Sequence, residues 1–260
     1  MLLGSFKGVH GGWTVANVRT LLKSPFLPAF ETSIKLSLTT AVAGCILGFA
    51  VAYAAIREGT PRVLRGIITT FSGVAANFGG IPLAFAFIST IGNIGIVTKF
   101  LNDHLHWDIY STNYPLFGHF TLFGAFGVGI VYMYFQIPLM ILVIAPAIDG
   151  LRREWREAAS NLGANAWQFW RHVGLPVLLP SLLGATILLF GNAFAAYATA
   201  YSLTAGSLGL VPVVIGYLYS GNVLDDPHLA QALAFGMFVV LFVMMLIYLP
   251  LQRRTARWMR

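Results

Sequence analysis

Five polar but uncharged side chains stand inside long apolar runs of the chain: Asn77, Gln136, Asn192, Tyr197 and Tyr201. Their amides and hydroxyls give and take hydrogen bonds, yet none is a ready proton carrier or nucleophile at neutral pH. Two uses suit such groups. They bond to neighbouring helices, contributing about 1 kcal/mol or less each, or they touch a passing solute. Asn77 stands beside Gly79, Gly80 and Pro82. Exposed backbone at such a break is tolerated at membrane depth only against protein or a water-filled cavity. Asn77 is therefore a pathway candidate, and Asn192, Tyr197 and Tyr201 complete that set.

Stronger chemistry is missing from the same runs. No Asp or Glu lies deep in any of them, and the nearest Lys or Arg is Lys35, at an end. All six histidines (His10, His104, His106, His119, His172 and His228) fall in loops or at the edges of apolar runs. Buried ionisable groups are costly enough to mark proton-coupled carriers, so that class is disfavoured, whereas sodium coupling through backbone carbonyls stays open. His104-x-His106 is the one close histidine pair and reads as solvated outer-loop residues, so no metal site is expected. A single cysteine, Cys45, allows no intrachain disulfide and reads as a small apolar core residue. No Gly-x-x-x-x-Gly-Lys-Ser/Thr phosphate loop occurs. The chain is expected to bind no cofactor and to catalyse no reaction of its own; if ATP drives it, another polypeptide binds the ATP and magnesium.

The elements that carry these residues are membrane helices. Of 260 residues, 57% are hydrophobic and 10% charged, against roughly 25% charged in soluble domains, and the mean hydropathy is +0.76. The net charge of +7 comes from arginines clustered between apolar runs, which is the pattern of membrane orientation and not of nucleic-acid binding. A spanning helix needs about 20 apolar residues. Five are predicted: 32–56, 66 to about 90 with a break at Gly79-Gly80-x-Pro82, about 120–147, about 177–204 and about 232–251. A re-entrant or interfacial piece is expected to follow the second up to residue 101, and another at 208–219, which is too short to span.

Charge parity tests that count. Arg57, Arg62 and Arg65 form one basic loop, Arg152, Arg153, Arg156 and Arg171 a second, and Arg253, Arg254, Arg257 and Arg260 a third. All three belong on the cytoplasmic side, so an even number of spans must separate each pair, and two and two satisfy this. Lys99, Asp103, Asp108, Asp225 and Asp226 then lie in outward loops. Residues 1–31 become an outward N-terminal segment with no cleavable signal peptide. Trp13 to Glu31 reads like a loop between two spans, so one further helix upstream is expected. The predicted fold class is all-α, a polytopic transmembrane helical bundle of five spans, or six with that helix.

The loop at 149–176 holds the most specific pattern. Trp155, Ala159, Leu162 and Ala166 recur at helical spacing and predict an apolar stripe on a short amphipathic helix. Gly163 suits a turn better than a helix interior. A second short helix from Trp167 is expected to end at Leu175-Pro176, where proline redirects the chain into the next span. The bland alternative is a basic helix resting on anionic lipid.

This stretch resembles the EAA loop of permease subunits in binding-protein-dependent (type I) ABC importers. The family pattern is Glu-Ala-Ala, three residues, Gly, nine residues, then Ile-x-Leu-Pro. Glu157-Ala158-Ala159, Gly163, Val173, Leu175 and Pro176 match it with one departure, valine for isoleucine. The span layout extends the resemblance from 32 to 260, and it looks most like the branch serving polyamines, ferric iron, thiamine and phosphonates. The resemblance implies coupling helices that dock on a dimer of separate ATPase subunits through Trp155, Glu157, Ala158, Ala159, Leu162 and Gly163, with Leu175 and Pro176 transmitting the movement. It also implies a second permease subunit, an extracytoplasmic substrate-binding protein, a bacterial inner-membrane location and a small polar cargo. The rival reading is a secondary transporter not powered by ATP.

Overall fold

The computed structural model describes residues 2–7, 12–56, 60–110, 120–220 and 227–256. His10, Arg57, His119, Asp225, Asp226, Arg257 and Arg260, used in the counts above, lie outside the described residues. The described residues are predominantly helical, with one isolated antiparallel bridge between Lys7 and Trp13, and the elements are α1 (Leu2–Ser5), α2 (Ala16–Thr20), α3 (Phe26–Ile56), α4 (Arg62–Asn77), α5 (Gly80–Ile91), α6 (Ile96–Leu105), α7 (Ala125–Asp149), α8 (Arg153–Asn161), α9 (Ala166–Phe169), a π-helical turn (Trp170–Gly174), α10 (Leu175–Phe194), α11 (Ala198–Thr204), α12 (Val211–Ser220) and α13 (Pro227–Ala256).

Among the described residues, five stretches are long and apolar enough to cross a membrane: Phe26–Ile56, Gly80–Leu105, Ala125–Asp149, Ala166–Phe194 and His228–Pro250. Ile46, Leu47, Phe85, Met245, Leu246 and Ile247 are each half or more exposed. Water would penalise such surfaces at about 25 cal/mol per Å², whereas lipid does not. The chain is therefore a multi-pass membrane protein with the all-α bundle fold class expected.

Element boundaries differ from the expectation in instructive ways. Helix α3 begins at Phe26, six residues upstream of the predicted start, with Pro28 in its first turn, where a missing N–H costs nothing. The second apolar run does break at Phe78-Gly79, but the stretch long and apolar enough to cross is Gly80–Leu105, after the break, and not 66–90 as expected; a further break at 92–95 separates α5 from α6 within it. The fourth run divides at 195–197, leaving α11 as a separate short helix. The apolar stretch before the last span forms α12, ten residues long and too short to cross.

The residues group into two compact units. One comprises 1–39, 78–133 and 192–241. In it the Tyr132 hydroxyl donates to the Ala196 carbonyl at 2.9 Å and the Val211 N–H donates to Ser33 Oγ at 2.9 Å. Leu83, Leu122, Tyr132 and Phe194 fill its core. Ser5 Oγ donates to the Gln231 carbonyl and the Phe6 ring meets Phe235 edge-on, so the N-terminal segment packs on the start of α13. The other unit comprises 40–77, 134–191 and 242–260. There the buried Gln136 amide donates to the Leu189 carbonyl at 3.1 Å, tying α7 to α10. Helices α3, α7, α10 and α13 each supply residues to both units.

Candidate coupling segment and pathway residues

Helix α7 ends at Asp149, whose carboxylate pairs with the Arg65 guanidinium. After a bend at Leu151, α8 runs for nine residues. Arg153 and Glu157, one turn apart, pair at 2.9 Å on its exposed side. Glu154, Ala158 and Asn161 are exposed as well. Trp155, Arg156 and Ala159 are half-buried. The Arg156 guanidinium lies 5.4 Å above the Phe169 ring, and Arg152 lies 5.9 Å from the centre of Trp155.

The turn after α8 is held by three main-chain bonds. Leu162 N donates to Ala158 O, Gly163 N to Ser160 O, and Ala164 N to Ala159 O. The last two are the paired bonds of a Schellman motif, whose closing residue must adopt the left-handed conformation. Gly163 occupies that place with φ +76°, a region where a Cβ would cost roughly 1–2 kcal/mol. The next helix is opened by a capping box: Asn165 Oδ1 accepts from Gln168 N, and Gln168 Oε1 accepts from Asn165 N, both at 2.8 Å.

Two expectations for this loop are corrected. The single apolar stripe does not form. Helix α8 stops before Leu162, and the left-handed turn at Gly163 takes Leu162 out of register with Trp155 and Ala159. Ala159 faces Tyr53, Phe169 and Trp170 across a cavity of about 270 Å³, whereas Leu162 is 88% exposed and Trp167 71%. Ala166 begins a different helix. Secondly, Leu175-Pro176 does not end the second helix. The helix runs on from α9 through the π turn into α10. The Leu175 N–H donates to the Trp170 carbonyl five residues back. Proline clashes with the carbonyl four residues before it in a regular α-helix; for Pro176 that residue is His172, inside the widened turn. Trp170 anchors this turn, its ring edge-on to Tyr53 at 4.7 Å and to Phe49 at 6.1 Å. Leu175 and Pro176 remain exposed.

The pathway candidates divide. Asn77 ends α4, exposed, and its Nδ2 donates to the Gly73 carbonyl in its own last turn at 2.8 Å. It belongs to the unit containing the coupling loop, and the other candidates belong to the second unit. In the latter, Tyr197 and Tyr201 stack with ring centres 5.5 Å apart and planes at 22°. Tyr217 of α12 meets Tyr201 edge-on at 5.7 Å, and its hydroxyl donates to the Ala205 carbonyl at 2.7 Å. The three rings form one half-exposed aromatic wall. Asn192 is exposed near the end of α10.

Sequence reasoning missed Tyr217 and Thr199. Gly80 opens α5 with φ +72°, and its N–H donates to Thr199 Oγ1 at 2.8 Å, so α11 closes the backbone break left by Gly79-Gly80. The spacing Tyr217-x-Tyr219 in a short apolar run was the available signal for Tyr217. Nothing local marks Thr199. His104 stacks on Phe100 at 4.5 Å, and among the described residues no group of three or more His, Cys, Asp or Glu side chains forms a possible metal site.

A polytopic helical bundle with a polar loop of two short helices leading without interruption into a late apolar span defines a class, the multi-pass helical membrane proteins. The chain belongs to the family described as the binding-protein-dependent transport system inner membrane component, matched over residues 44–257, and is a permease of the ABC importer type. It is 25% identical over 214 residues to a probable sulfate transport system permease protein of Marchantia polymorpha, a match covering 82% of this chain and 68% of that one. It is 24% identical over 219 residues to the molybdenum transport system permease protein ModB of Mycobacterium tuberculosis, covering 82% and 76%. Among solved structures, a bacterial ABC transporter involved in the import of the acidic polysaccharide alginate aligns with a TM-score of 0.71, 97% of this chain and 87% of that chain being covered at 18% identity. At that identity the likeness is one of fold.

Proposed function

We propose that residues 149–176 are the element through which a separate ATPase subunit drives this permease. The observation that carries the reading is the continuous helix from α9 through the π turn into α10, standing directly after an exposed polar helix. Glu157, Ala158, Leu162 and Trp167 are exposed and available to a groove on the ATPase. Glu157 exchanges its Arg153 partner for a basic group of that subunit, and the small Ala158 permits close approach. Movement of α8 then passes through Gly163 and the helix containing Leu175 and Pro176 into α10.

The same reading places residues 149–176 and the C-terminus in the cytoplasm and the permease in a bacterial inner membrane. Residues 1–31 are read as an outward segment and 32–260 as the transmembrane domain. A pair of ATPase subunits carries ATP and magnesium, a second permease subunit completes the pathway, and an extracytoplasmic binding protein delivers the cargo. Asn77, Asn192, Tyr197 and Tyr201 are read as pathway residues. With no charge deep in the spans, the cargo is a small polar solute chosen by the binding protein; polyamine, phosphonate, thiamine and ferric iron follow from the span layout. The sulfate and molybdenum relatives add the oxyanion class.

Reconstitution tests the coupling. Proteoliposomes holding the permease with its co-purified ATPase should take up cargo only with ATP and binding protein, and Glu157→Lys should abolish uptake and stimulated ATP hydrolysis while membrane insertion stays normal. Full uptake by that variant, or uptake driven by an ion gradient without the ATPase, would overturn the reading.

A further inference from the structure

Arg62, Arg65, Arg152, Arg153 and Arg156 line one cavity of about 330 Å³, together with Asp149. All lie in the unit that holds the coupling loop. Asp149 is engaged by Arg65, and Glu157, outside the cavity, by Arg153. Among the described residues, Asp149, Glu157 and the exposed Glu154 thus stand against five guanidinium groups, and the surplus of positive charge attracts a further anion.

The backbone adds to the same sign. Helix N-termini carry a positive partial charge and usually begin with a side chain that accepts hydrogen bonds. Helix α8 has Arg152 at that place, with no side-chain cap, and Arg153 next, followed by the exposed Glu154, the acidic residue of its first turn. Helix α4 begins at Arg62, with no acidic residue in its first turn. Two helix starts that would favour acceptors therefore carry donors, and both contribute those donors to one cavity. The rest of the wall is mainly apolar, Ile56, Ile148, Leu151 and Phe169, with the hydroxyl-bearing Tyr53 and Thr60. A multidentate anion attached to an apolar body fits that combination.

We infer that this cavity binds a phosphate group, carried either by the headgroup of an anionic phospholipid or by a soluble phosphomonoester. Guanidinium forks match phosphate oxygens geometrically, and basic pockets at the cytoplasmic ends of membrane helices suit anionic headgroups. The lipid source rests on the cytoplasmic placement proposed above; the phosphate chemistry rests on the cavity alone.

The test uses the full chain with its co-purified subunits in nanodiscs of phosphatidylcholine, with and without a minor fraction of phosphatidylglycerol. Native mass spectrometry counts retained lipid, and melting in pure phosphatidylcholine checks that each variant is folded. The wild type and Arg171→Ala, a control outside the cavity, should retain phosphatidylglycerol. The double variant Arg62→Gln/Arg152→Gln should bind it roughly thirtyfold more weakly, as expected for two basic groups of this kind. Displacement of the lipid by millimolar glycerol 3-phosphate names the soluble source, and persistence of the lipid names the headgroup. Equal retention by the double variant, or equal retention of phosphatidylcholine by the wild type, overturns the assignment. Leu162→Ala, a change on the proposed docking surface that neither lines the cavity nor pairs with its arginines, should leave lipid retention unchanged, so a failure of coupling is distinguishable from a failure here.

Discussion

The two stretches of short helices, residues 150–174 and 195–220, solve the same problem in opposite ways. Each interrupts long apolar helices and leaves helix ends whose N–H and C=O groups need partners. In 150–174 the partners are local: Arg153 to Glu157, Gly163 to Ser160, and Asn165 with Gln168. In 195–220 local bonds such as Tyr217 to Ala205 are joined by ones distant in sequence: Thr199 to Gly80, Ser33 to Val211, and Tyr132 to Ala196. Water completes whatever local bonds leave open, so a solvated loop needs only its own residues. Lipid completes nothing, so interruptions inside an apolar bundle are closed by tertiary bonds. The helix ends of the first stretch are closed by its own residues, with Trp170 its contact on Tyr53 and Phe49, whereas the second is tied to its neighbours by hydrogen bonds.

That contrast breaks most visibly at the turn of the first stretch. Gly163→Pro forces φ to about −65° where +76° is required, and it removes the bond to Ser160. Cargo uptake and stimulated ATP hydrolysis should both vanish in reconstituted vesicles, while extraction and size-exclusion behaviour stay those of a folded membrane protein. In the second stretch, Thr199→Val leaves the Gly80 N–H without its partner. An unsatisfied buried group costs about 1–3 kcal/mol, so melting in detergent should drop measurably. If instead the melting point holds, the bond to Gly80 is not what closes the break.

Asn165→Ala removes a capping box worth about 1 kcal/mol. Hydrogen exchange should quicken at residues 166–169 and leave 198–204 unchanged, because the lost bonds are local. Arg153→Ala should do least. An exposed pair one turn apart contributes about 0.5 kcal/mol or less, so melting should not shift, and retained uptake would show that Glu157 does not need Arg153 to be held in place.

Much of the fold was legible because the relevant physics is local. Apolar length announced five spanning stretches, and Gly79-Gly80 announced a break. The Glu157 to Pro176 pattern announced two short helices around Gly163. What escaped was tertiary. Thr199 is an ordinary residue until Gly80 is brought to it, and Tyr217 joins Tyr197 and Tyr201 only once α12 folds back. The apolar stripe through Leu162 and Ala166 was projected along one helix, but the left-handed turn at Gly163 ends that helix first. Pro176 was read as a stop because a uniform α-helix would not admit it, and the sequence carries no direct sign that the preceding turn is widened.

The widened turn at Trp170–Gly174 also alters how spacing should be read. A π turn takes one more residue than an α turn, and one residue corresponds to about 100° around a helix axis. Side chains on α9 and α10 therefore keep different angular phases, although they belong to one continuous rod. The extra residue is absorbed inside that turn: deleting one residue at 170–174 would restore α geometry with the flanking helices kept in place, whereas the same deletion in the regular part of α10 would turn everything before it by about 100°. A chain shortened in α10 would keep an apolar stretch long enough to cross a bilayer, but with its polar helices turned by about 100° from their present aim.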